Sequence, residues 1–141
     1  MTTFGKAIAT YVFTLLFLSC LMTIAGLLAT GFENSDGIGV VTLVLFGTAL
    51  VVGIWSAIPV FAIWIPTYFL LKGFDVNETE NAIFSAGLSA TLGAIISAWA
   101  YGSVFGDLAG NSDVGWVRLL IIGVSAMVIA FLVWRRPANA N

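Results

Sequence analysis

Histidine is absent from this sequence, and cysteine occurs once, as Cys20. The first absence excludes His-ligated haem, an imidazole metal site and a histidine general base. The second excludes an internal disulfide or a dithiol redox pair. Charge is nearly as scarce, since five basic and seven acidic residues make up 9% of the chain. None of them falls near the middle of a long apolar run, where proton relays, ion-coupled sites and paired intramembrane aspartates would need them. No glycine-rich phosphate loop sits between a strand and a helix, and each polar segment is under about fifteen residues, too short for a soluble catalytic domain. No metal and no cofactor are therefore expected, and a net charge of -2 argues against a nucleic-acid partner.

What the chain has instead is apolar length. Hydrophobic residues make up 60% of it, and the mean hydropathy is +1.08, values that belong in a lipid bilayer. The charges fall in clusters, with four uncharged runs between them. Crossing a hydrocarbon core of about 30 Å takes roughly 20 apolar residues in a helix, and the runs lack the dyad alternation of a barrel. The expected fold is an all-α integral membrane protein, a single membrane domain over 1–141. Its helices are expected at about 7–31, 39–60 (with a Pro-rich extension to 71), 80–104 and 116–134. Trp116 and Trp134 bound the last at roughly 27 Å apart, a spacing suited to the two interfacial belts.

Lys6, Lys72, Arg135 and Arg136 mark the N-terminus, the middle loop and the C-terminus, while segments 32–38 and 107–115 hold acids and no base. The positive-inside bias then puts both termini in the cytoplasm, with Arg118 the one exception on the outer side. The apolar run from Ala7 to Thr30 exceeds a signal-peptide core of about 7 to 15 residues, so an uncleaved first span is expected. A bacterial-type inner membrane is the natural setting.

Two segments resemble each other: "NSDGIGVVTLVLFG" from Asn34 and "NSDVGWVRLLIIG" from Asn111. Sliding one over the other pairs Gly39 with Gly115 and Gly47 with Gly123, which raises two tandem helical hairpins in the same orientation. Asp36 and Asp113 suit N-caps of the second and fourth helices. A paired-carboxylate cation or partner site in the outer loops is the functional alternative.

The second span is expected to end at Ile58, before Pro59, leaving "PVFAIWIPTYFLLKG" in surplus. Three arrangements suit it: a helix continued with a kink at Pro59 or Pro66, an interfacial segment, or a re-entrant one. Trp64, Tyr68 and Phe69 favour the interface. Opening of the backbone at the prolines to bind a substrate is the functional reading.

In the third span, Ala82, Ser85, Ala86, Ser89, Gly93 and Ser97 share one face, and Phe84, Leu88, Leu92, Ile95 and Trp99 gather on the other. Small side chains let helix backbones approach closely, so the thin face should pack against protein, in this chain or a partner. Ser19, Thr23, Gly26 and Thr30 repeat the theme in the first span, with Cys20 read as a small packing residue. In the middle loop, Asp75 with Glu78 or Asn77 with Glu80 has the spacing of a helix cap. The sequon at Asn77 lies on the cytoplasmic side and is read as accidental.

Two function classes follow. One is a non-catalytic helical subunit or assembly factor, packed against other membrane helices and surrounded by membrane lipids. The other is a small oligomeric channel or transporter lined by Ser and Thr. An enzyme is the least supported, its one form being membrane-embedded transferase chemistry at the loop carboxylates.

Overall fold

The computed structural model describes residues 2–30, 38–105 and 116–135. These residues form four helices, α1 (Thr3–Thr30), α2 (Ile38–Gly73), α3 (Glu78–Phe105) and α4 (Trp116–Trp134), and no strand among them. The α1 helix starts earlier than its apolar run because the Thr2 hydroxyl accepts the Gly5 N–H at 3.0 Å, a side-chain cap on a free donor. Glu78 and Glu80 sit in the first turn of α3, where the helix dipole favours negative charge.

Of the three arrangements expected beyond Ile58, α2 takes the continued helix. It does not end at Ile58 but runs 36 residues, about 54 Å at 1.5 Å each, with Pro59 and Pro66 inside it. Each proline removes one backbone donor, yet leaving the helix in apolar surroundings would expose many more unpaired groups. Aromatic packing holds the extra turns to the bundle, since Trp64 and Tyr68 are buried in its core. The separate interfacial and re-entrant arrangements are thereby corrected to a continuous helix. It closes at Gly73, after which Phe74 and Asp75 donate to the carbonyls of Leu71 and Lys72. Asp75 takes a left-handed φ of 57° to turn the chain into α3.

Each helix packs on two neighbours, in the cycle α1–α2–α3–α4–α1. Successive helices are antiparallel. Phe4 meets Phe61 while Tyr11 reaches the Gly53 carbonyl, and Asn81 meets Tyr68 while Gly93 faces Val60. Thr79 meets the Trp134 carbonyl while Thr91 faces Gly123.

The polarity of the bundle is inverted relative to a water-soluble one. Its interior holds Thr10, Thr14, Ser19, Thr23, Asn81, Ser85, Ser89, Ser97 and Ser125 together with alanines and a few aromatic rings. Large apolar side chains point outward on all four helices, among them Phe13, Ile54, Phe84 and Leu120. Three segments, Thr3–Leu28, Gly53–Gly73 and Val117–Trp134, are long and apolar enough to cross a membrane. The α3 helix is not in that set among the described residues; it opens on Glu78, Glu80 and Asn81 and carries serines along its inner face.

Candidate functional site

The interior hydroxyls are engaged along their own helices. Thr10, Thr14, Ser19 and Thr23 of α1 each donate to the carbonyl four residues earlier, at 2.7 to 2.8 Å. Ser89 donates to Ala86 at 3.2 Å, and Thr91 to Gly87 at 2.8 Å. Such back-bonding satisfies the hydroxyl without an interhelical partner. Tyr11 differs, crossing from α1 to the Gly53 carbonyl of α2, with Ser56 within 3.4 Å. Ser97 also differs, because its hydroxyl is buried with no hydrogen-bond partner among the described residues.

Cross-helix chemistry concentrates where α1 begins, α2 ends, α3 begins and α4 ends. Asn81, 1% exposed, donates its amide to the Tyr68 carbonyl at 3.0 Å and accepts the Ser85 hydroxyl at 3.1 Å. Trp134 donates Nε1 to the Thr10 hydroxyl at 3.3 Å, and Lys6 Nζ lies 5.0 Å from the centre of its ring, within cation–π range. Aromatic contacts run from Phe61 to Trp64 at 6.3 Å, from Trp64 to Tyr68 at 4.9 Å and from Tyr68 to Trp134 at 5.7 Å. At the same end a cleft of about 420 Å³ opens between Thr3, Tyr68, Lys72, Asp75, Val76, Glu78 and Asn81. Its lining carries one ammonium, two carboxylates, the hydroxyls of Thr3 and Tyr68 and the Asn81 amide.

All six small residues of the α3 face, Ala82, Ser85, Ala86, Ser89, Gly93 and Ser97, are buried, and their cover comes from this chain. A Cβ on Gly93 would lie 2.5 Å from a methyl of Val60 and 3.1 Å from its Cα. Phe84, Leu88, Leu92 and Ile95 face outward. Pro59 and Trp64 are buried and Pro66 is exposed. Trp134 is a core residue at the bundle end, not a belt residue facing outward, and Cys20 is exposed on the outer surface, not packed. Asp36 and Asp113 lie outside the described residues. The aligned glycines differ in setting: Gly47 has nothing within 4 Å of a Cβ, whereas a Cβ on Gly123 would meet the Thr91 hydroxyl at 2.6 Å.

Asn81, Tyr11 and the Thr10–Trp134 contact escaped the sequence reading. Their spacing holds a partial signal, since Lys6, Thr10 and Thr14, like Asn81, Ser85 and Ser89, recur every fourth residue along a helix. Among the described residues no group of three His, Cys, Asp or Glu side chains is placed to hold a metal ion. Compared with protein-family models, curated proteins and solved structures, the chain finds no match.

Proposed function

We propose that this chain crosses a bacterial-type inner membrane four times, with both termini in the cytoplasm, as a non-catalytic helical subunit or assembly factor for other membrane helices. The inverted polarity carries this reading. Exposed large apolar side chains on every helix would forfeit about 25 cal/mol per Å² in water but lose nothing in hydrocarbon. Between helices in lipid, small side chains and hydroxyls replace the hydrophobic drive, as they do in this interior. The α3 helix completes a fourth span because its serines turn inward and Phe84, Leu88, Leu92 and Ile95 turn out. Lys6, Lys72 and Arg135 share the end of the bundle where α1 begins and α2 and α4 finish, in keeping with a cytoplasmic face there. A subunit role is supported by interior hydroxyls that bond back to their own helices and so are not left free to line a path. Since α3's thin face is used within the chain, partner helices would dock on the outward surface.

A channel or transporter formed by several copies is the second reading, and the unpartnered Ser97 hydroxyl favours it. Purification in mild detergent followed by native mass spectrometry separates the two. A stable unrelated membrane partner, with no solute flux in liposomes holding this chain alone, supports the subunit. Flux that disappears in Ser97→Ala overturns it.

A further inference from the structure

The cleft at the charged end combines features that helix packing does not require. Lys72, Asp75 and Glu78 line one space, yet no salt bridge joins them among the described residues. A cation and two anions held apart are complementary to a ligand that is itself dipolar. Next to them the surface turns apolar, with Phe69, Leu70 and Phe74 exposed at 61%, 65% and 73%.

We infer that this cleft binds the headgroup of a zwitterionic phospholipid, one carrying a phosphate and a primary ammonium. Lys72 and the Thr3 hydroxyl take the phosphate, and Asp75 and Glu78 take the ammonium. The inference rests on the membrane reading above. An ammonium with N–H groups donates charge-assisted hydrogen bonds to carboxylates. A quaternary ammonium prefers open aromatic faces, and the one ring at this cleft, Tyr68, is 4% exposed and stacked on Trp64. An anionic headgroup without an ammonium would face two uncompensated carboxylates. The volume of about 420 Å³ falls among pockets for small ligands, roughly 300 to 1,000 Å³. Phe69, Leu70 and Phe74 give the acyl chains an apolar surface beside the headgroup.

Native mass spectrometry of the full chain in mild detergent tests this, with equimolar phosphatidylethanolamine, phosphatidylcholine and phosphatidylglycerol added. The expected result is a one-to-one adduct with phosphatidylethanolamine, at least about fivefold more occupied than with the other two. Lys72→Gln and the double variant Asp75→Asn, Glu78→Gln each lower it by about fivefold. Their unfolding midpoints fall by no more than the loss of one helix-end charge entails, because all three side chains are exposed, and Arg135→Gln, at the same end but outside the cleft, keeps the adduct. Equal occupancy by the three lipids, or variants that bind as the parent does, overturns the inference. So does competition by water-soluble phosphoethanolamine as effective as the lipid, which would make the ligand a soluble zwitterion. Release of the chain from membranes by alkaline carbonate defeats the membrane reading itself, whereas firm retention without an adduct defeats only the headgroup site.

Discussion

Asn81 shows what one buried amide does where two helices meet. Its Nδ2 holds the Tyr68 carbonyl of α2, and its Oδ1 accepts from Ser85, so both ends of the amide are satisfied. Asn81→Ala removes the bridge between α2 and α3 and is expected to lower stability by about 1 to 3 kcal/mol, read as the unfolding midpoint in detergent. An unchanged midpoint would make the contact dispensable. Trp134 divides into two contributions. Trp134→Phe keeps ring contact with Tyr68 but loses the bond to Thr10, for about 0.5 to 1.5 kcal/mol. Trp134→Ala also empties a core site, for about 3 to 5 kcal/mol. At this scale the sequence is least legible. Asn81 follows the loop acids and is assigned no role from sequence, and its partner thirteen residues earlier leaves no local trace. An aromatic residue at a helix end reads as a membrane-belt residue, whereas Trp64 and Trp134 find other rings to bury against.

Among the elements, α3 was the most legible because side-chain size is written directly in the sequence and decides how closely backbones approach. Gly93→Leu drives a side chain into Val60, including its Cα, and is expected to abolish the folded monomer on size-exclusion chromatography. Gly47→Leu, where nothing lies within 4 Å, should elute as the parent does. If both variants behaved alike, the close approach of α2 and α3 would be wrong. The length of α2 was legible only as one of three arrangements. Proline reports the loss of one hydrogen bond, but whether the helix ends there depends on what its next turns bury, and that is decided by α1, α3 and α4. The paired segments before α2 and α4 likewise carry similar glycines into unlike surroundings, one open and one pressed on Thr91.

For the whole molecule, hydropathy pointed to an all-helical chain because backbone satisfaction in an apolar medium leaves few architectures. The inward serines and outward phenylalanines are expected to keep the chain in the membrane pellet after alkaline carbonate. Cys20 gives a finer test, since it faces outward from within an apolar segment. A membrane-permeant maleimide should label it in intact membranes, and a charged, impermeant one only after denaturation. Equal labelling by both reagents would place Cys20 in water. The contacts of Trp134 with Thr10 and Lys6 bring the last turn of α4 against the opening turns of α1. The cycle of helices therefore has no obligatory first member. A circular permutant, with a short linker from Arg135 to Thr3 and new ends cut within 74–77, should assemble the same four interfaces in a different chain order.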